Sequence, residues 1–495
     1  MSDAEAKRRA DCDLRWKVAL GIEIDERPFA KSTLQLFRAQ LVIHGEAQTI
    51  FRRSLEQARA QGYLKGRKLR VVLDTTAIFG RGAVEDTYNL IGHGIRELLT
   101  VLAELEGQAP PAWAEGQGLG RYFGSSLKAS AAVDWDDPAS RSAFLTAIIG
   151  EGARALELAR EARSRLVEGS AEDARIVAAA VLLTQLLWQD VEPSDEGYRI
   201  RQGTAPDRVP SVEDPEQRHG RKSRGKTFTG HKGGIAVDPE TQLITATEVL
   251  PGNAADGESA ARLVEASEAN TGSEVEQVIG DTAYGGMETR AALGEREVIA
   301  PTVKPHERRA IAKSDFEIDV PGERVRCPQG HATTHWTWVT VTPGPGKPKV
   351  RVKRFHFPQG LCRACPRYAE CVPGERGGGR TVTLHADEAR LQAARALEQT
   401  DYFREQYRRR VVVEHRIARL VQLGIRQARF LGRRMTAFQL LMAATVANLT
   451  LLAGAQAAQS VFRRVCDAWN AVVRRFSPLS CLSAPFRRIG PPIAA

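Results

Sequence analysis

The sequence predicts an α/β fold built on one mixed sheet, with long helical stretches before and within it. Three observations carry that prediction. Two short apolar runs end on an aspartate, LRVVLD (Leu69 to Asp74) and QVIGD (Gln277 to Asp281), as buried strands do when they hand over to functional loops. Two further runs, FTGHKGGIAVD and QLITATEVL, flank a turn at Pro239 to Thr241 and read as an antiparallel hairpin. Long segments with apolar residues at a helical period surround both.

Residues 1–65 read as a helical N-terminal module. Leu34, Phe37, Leu41, Ile50, Phe51 and Leu55 recur at roughly helical spacing, with Ser32 as the expected N-cap and Gly62 as the stop. Lys31, Arg38, Arg52 and Arg53 lie among them. Such a basic module suits either a DNA groove or a packing and dimerisation role, and this stretch does not choose between them. The first strand of the core, Leu69 to Leu73, follows within 66–83, and DTTAIFGRGA is expected to be its loop. Over 84–192 the segments IGHGIRELLTVLAELEG and ARIVAAAVLLTQLLWQD are apolar on one face and should form their own small bundle, with Trp113, Trp135 and Trp188 packed inside or between helices.

The rest of the sheet is expected over 193–303. It opens on a turn-rich stretch, Pro193 to Lys226, whose basic end reads either as a solvated linker or as a phosphate-contacting loop. Next come the hairpin, a helix beginning near PGNAADGESAARL, and the strands QVIGD and EVIAPTV. This order, with aspartates on the first and fourth strands, resembles the ribonuclease-H-like one, the bundle being inserted after strand 1. A small cysteine-rich β insertion is expected over 304–385 and helices over 386–455. The basic tail 456–495 reads as loosely held.

Net charge is +10 with a pI near 9.4, an excess that is mostly arginine and favours a polyanionic partner. No apolar run reads as transmembrane, and MSDAEAKRRADCD has no hydrophobic signal core, so a soluble intracellular protein is expected. Seven cysteines fit a reducing compartment better than a disulfide framework, since Cys12, Cys466 and Cys481 stand apart from the rest. Cys327, Cys362, Cys365 and Cys371 carry spacing that can hold one structural zinc, with His331 or His356 as substitutes. An iron–sulfur cluster uses the same ligands, and four reduced thiols in a small insertion is the plain alternative.

The candidate catalytic residues are Asp74, Asp281 and Glu414. Two strand-end aspartates and a helical glutamate can hold a pair of hard divalent cations through oxygen. Glu414 sits in YRRRVVVEHRIARL beside Ile417, Ala418 and Val421, so a buried or semi-buried carboxylate is expected, needing either a cation or a salt bridge to Arg410 or Arg416. From Arg404 to Arg434 there are ten arginines and no lysine, a composition suited to phosphate recognition.

LDTT, RHGRKSRGKTFTGHKGGIAVD, EVLPGNAADGE, VIGDTAYGG, and YRRRVVVEH followed by GIRQARFLGRRMTAFQLLMAATVANL together resemble the bacterial insertion-sequence transposases of the DDE class. They look most like a subgroup with a cysteine-bearing insertion before the glutamate helix. The resemblance spans about Leu14 to Leu452. It implies Asp74, Asp281 and Glu414 as a catalytic triad holding two Mg²⁺ (or Mn²⁺) ions about 3.5 to 4 Å apart. It further implies cleavage at element ends and strand transfer, DNA ends and target as partners, a homodimer, no membrane, and a cytoplasmic, nucleoid-associated location. Tyr407, Arg410 and Glu414 match the family's tyrosine, arginine and glutamate spacing, while its lysine, seven residues on, falls on Val421. Arg426 or Arg429 is the expected replacement. Arg221, Lys222, Lys226, Arg433 and Arg434 complete the expected DNA contacts. Relatives carry further helices before WKVALG, so the N-terminal domain is expected to be shortened. The alternative function is a transposase-derived DNA-binding protein that no longer cuts. The haloacid-dehalogenase type of phosphotransferase would need an aspartate where Thr76 stands.

Overall fold

The structure is a computed structural model that describes residues 2–195, 197–223, 225–303, 310–342, 348–372 and 378–476, with side chains through residue 455 in the last helix. Its centre is a mixed six-stranded sheet. In chain order the strands are β1 (Lys68–Phe79), β2 (Arg218–Ser223), β3 (Lys226–Val237), β4 (Ile244–Pro251), β5 (Glu274–Ile279) and β6 (Glu297–Ile299). β1 pairs antiparallel with β3 and parallel with β5, and β5 pairs parallel with β6. On its other edge β3 carries β2 along one half and β4 along the other.

Two features of the sheet depart from the sequence expectation. The first strand does not stop at Leu73. It runs to Phe79, because Asp74 to Phe79 pair in register with Ile235 to Gly230, and a backbone ladder needs no apolar side chains to continue. The basic stretch before Lys226 is not all linker: RHGRKS forms β2, bonded to the start of β3.

Burial on the sheet is nearly complete. Val71, Val72, Leu73, Ile235, Ala236, Val278 and Ile279 are fully buried, covered by helices Glu46–Ala60, Ala260–Thr271, Val411–Gln422 and the start of Arg433–Phe476. Helix Glu46–Ala60 therefore belongs to the sheet's own core through Phe51, Leu55 and Ala58 rather than to a separate module. Ser32 is not a cap: helix Lys31–Ile43 begins after Ala30, with no side-chain cap.

Between β1 and β2, helices Thr87–Leu105, Pro138–Arg163 and Ala171–Gln189 pack around a second core, including Leu98, Ile148 and Leu186. Asp86 opens the first of these, its carboxylate accepting from the Tyr88 and Asn89 N–H groups. Trp113 is buried there and Trp135 packs edge-on against Tyr88 and Phe144. Trp188, expected inside, is 50% exposed, with one edge on Tyr198.

The cysteine-bearing segment forms two small three-stranded sheets over a third core of Phe316, Val325, Phe355 and Phe357. The last helix is longer than expected, reaching Phe476, and the tail from 477 lies outside the described residues. Its first 23 residues, Arg433–Ala455, are long and apolar enough by length and composition to cross a membrane, against the expectation of no such run. Here they lie on the sheet: Leu440, Ala444 and Ala447 are fully buried, and the Asn448 amide bonds both the N–H (2.9 Å) and the C=O (2.8 Å) of Ile244.

Candidate functional site

The register of β1 against β5 builds the site. The two strands pair up to Val72↔Ile279, and then β5 ends. Two residues beyond that last pair stand Asp74, still on β1, and Asp281, in the turn that follows β5. Asp74 is held by β1 itself, its Oδ1 accepting from the Thr75 N–H at 2.7 Å. Asp281 caps the short turn Thr282–Tyr284, its Oδ1 accepting from the Ala283 N–H at 2.8 Å. Both are fixed by backbone bonds and face one cavity of about 480 Å³.

Glu414 reaches the same cavity from the first turn of helix Val411–Gln422. It is more exposed than the buried or semi-buried carboxylate expected, with 54% of its side chain open to solvent. The helix starts at Val411 and turns Val413, Arg416 and Leu420 inward, which leaves Glu414 on the cavity side. Its partner is Arg410, whose Nη1 donates to Glu414 Oε1 at 2.7 Å while Nη2 lies 3.5 Å from Asp74 Oδ2. Arg416 is instead turned into the protein, 7% exposed, with its Nε and Nη2 unpartnered.

Charge explains the state of Asp74. Burial pushes its pKa up to about 6; the Thr75 N–H and Arg410 pull it down, and the Asp281 and Asp256 carboxylates raise it further. Burial works against the charge of Arg410, but Asp74 and Glu414 outweigh it and hold its pKa above the ordinary range. Asp256 is a fourth cavity carboxylate, ion-paired at 2.8 Å with Lys232, which also lines the space. Neither residue stands out as a candidate in the sequence, although each lies inside a motif singled out above, FTGHKGGIAVD and EVLPGNAADGE.

The expected DNA contacts divide. Arg221, Lys222, Arg410 and Arg426 line the cavity, Arg426 donating to Thr76 Oγ1 (3.1 Å) and Ala77 O (3.0 Å). Of the two replacements for the missing lysine, Arg426 is therefore the one at the site. Lys226 opens β3 opposite Ser223, outside the cavity. Tyr407 stacks on Phe403 with ring centroids 5.7 Å apart. The Arg429 N–H donates to Gln439 Oε1 at 2.8 Å, Arg433 pairs with Glu216 at 3.0 Å, and Arg434 donates to Val42 O at 3.0 Å.

The four cysteines of the insertion also meet. Cys327, Cys362, Cys365 and Cys371 are free thiols lining one pocket of about 30 Å³ with His331, whereas His356 bonds Thr337 outside it. The turn at Cys327 is closed by its N–H donating to His331 O at 2.8 Å, and the Arg380 N–H points to Cys362 Sγ at 3.4 Å. Burial pushes the Cys371 thiol up, with Arg380 opposing. Among the described residues no three His, Cys, Asp or Glu side chains converge tightly enough to form a ready-made metal group, in this pocket or in the acidic cavity.

A model of the family described as Transposase DDE domain matches residues 326–453. The matched stretch holds the cysteines and Glu414 and lies downstream of Asp74 and Asp281. No curated protein and no solved structure is significantly similar to the chain.

Proposed function

From the match of residues 326–453 to a transposase DDE domain, we propose that the chain is a transposase of the DDE class that cuts DNA at the ends of an insertion sequence and joins them to target DNA, using Asp74, Asp281 and Glu414 on a ribonuclease-H-like sheet. The observation that supports this most is the pair of aspartates brought together by the β1 and β5 register, in a cavity that Glu414 also lines.

The donor set fits a hard divalent cation. It offers carboxylate oxygens only, and Asp74 is kept avid for a proton by burial and by its acidic neighbours, a penalty that a bound cation would relieve. Asp74, Asp281 and Glu414 would hold Mg²⁺ or Mn²⁺, which supplies Lewis acidity to the oxygens around phosphorus. Arg221, Lys222 and Arg426 grip the flanking phosphates, and Thr76 orients Arg426 from β1. The strand transferred acts as a nucleophile through its own 3′-hydroxyl, so no protein–DNA covalent bond is involved. DNA ends and target are the partners, and a homodimer holds paired ends. The four thiols, or three of them with His331, would supply the four donors of a structural zinc.

A binding-only protein is favoured by one specific observation, the Arg410 guanidinium seated between Glu414 and Asp74. Cleavage and joining of a labelled duplex carrying the flanking terminal repeats separates the two readings. Wild type should cut in Mg²⁺, and Asp281→Ala should bind the same DNA without cutting. Equal cutting by Asp281→Ala would refute the site; tight binding with no cutting by either protein would establish the binding-only reading.

A further inference from the structure

Lys232 is a largely buried cation on the wall of the acidic cavity, with no part in the proposed triad or its phosphate grip. It sits in β3, followed by Gly233 and Gly234, and only 13% of its side chain is exposed. Its ammonium donates to Asp256 Oδ1 at 2.8 Å and to Ala254 O at 2.7 Å. Both acceptors lie on the segment between β4 and helix Ala260–Thr271, and the lysine lines the same cavity as Asp74 and Asp281.

Three facts make this more than a structural ion pair. An ammonium has three donors, and two are used here. The position is beside the phosphate grip: Lys232 lies opposite Ala77, one residue along β1 from the Thr76 that orients Arg426, and Thr76, Lys232 and Arg426 line the same cavity. The pairing is also exclusive, since Lys232 is the only ion-pair partner of Asp256 among the described residues.

We propose that Lys232 is a phosphate-binding residue of the reaction site, contacting the phosphate to be cut, and that Asp256 is a positioning residue that keeps the ammonium in the cavity. On this assignment a strand-borne lysine supplies the point charge that Val421 cannot supply from the glutamate helix. The inference rests on the transposase reading.

The test is equilibrium binding in EDTA to the terminal-repeat duplex, measured against salt. Each phosphate that the protein neutralises steepens the log–log salt slope by about 0.9. Lys232→Met should make the slope shallower by that amount, and Lys232→Arg should restore the wild-type slope. A duplex with a neutral methylphosphonate at the phosphate that wild type cuts should bring the wild-type slope down equally and leave that of Lys232→Met unchanged. If Lys232→Met fails to fold, Lys232→Met with Asp256→Asn removes the partner charge as well and carries the same comparison. A wild-type slope in the variant, or equal methylphosphonate effects on both proteins, overturns the assignment while leaving the transposase reading intact. If wild type neither binds nor cuts this DNA, that reading fails and Lys232 falls with it.

Discussion

Asp74→Asn should make the protein more stable when no divalent cation is present. The side chain is 16% exposed, and its pKa rises from an ordinary 3.8 to about 6, chiefly through burial. At 1.36 kcal/mol per pH unit this is about 3 kcal/mol of penalty for ionised Asp74. The sign follows from proton binding. Between about pH 4 and 6 the folded state holds the proton that the unfolded state releases, so stability is greatest below that window and falls as pH rises through it. Asparagine cannot ionise, and its amide oxygen can still accept from the Thr75 N–H. Some of the gain is lost because Arg410, 3.5 Å away, gives up a charged neighbour. Urea unfolding in EDTA should therefore put the variant above wild type by up to about 3 kcal/mol at pH 7.5, with the gap closing towards pH 4. Adding Mg²⁺ should raise wild type and leave the variant where it is. A gap that does not change between pH 4 and 7.5 would refute burial of an ionisable Asp74 as its cause.

Asn448→Ala should destabilise by about 2–4 kcal/mol in urea unfolding, because it strands the buried N–H and C=O of Ile244 that the amide now satisfies. A loss below about 0.5 kcal/mol would mean that water or a shifted helix replaces both bonds. Purified protein should carry about one zinc by elemental analysis, and Cys371→Ser should lower both zinc content and thermal midpoint. Metal-free protein with an unchanged midpoint in chelator would remove the zinc assignment.

Much of the sheet is legible in the sequence because its strands carry short apolar, fully buried runs, as Val71 to Leu73 and Val278 to Ile279 are. What escapes is structure held by backbone alone. Asp74 to Phe79 run from three polar residues to three apolar ones, with no alternation to announce a strand, yet continue β1, since β3 offers a complete row of partners. RHGRKS has no apolar residue to announce a strand, but it lies antiparallel to its own continuation across a tight turn. Trp188 shows the converse error: a large aromatic in an apolar helix reads as core, but the helix reaches that core with Leu183, Leu186 and Leu187 instead.

The site is legible where local sequence carries the chemistry and illegible where tertiary pairing does. Asp74 and Asp281 each end an apolar run, so position along the strand marks them. Lys232 and Asp256 each lie inside a quoted motif, but only their pairing, 24 residues apart in sequence, brings them to the cavity. Glu414 shows why alternatives weighed on sequence can mislead: a cation ligand and a salt bridge to Arg410 look exclusive, yet the ion pair sits inside the acidic cavity. The two roles are compatible because Glu414 is held through one exposed side-chain contact, whereas Asp74 and Asp281 are fixed by backbone N–H groups. An exposed pair of this kind contributes about 1 kcal/mol or less, so exchanging Arg410 for another cation at Glu414 costs little, while moving Asp74 would require breaking the sheet and moving Asp281 would require opening its turn.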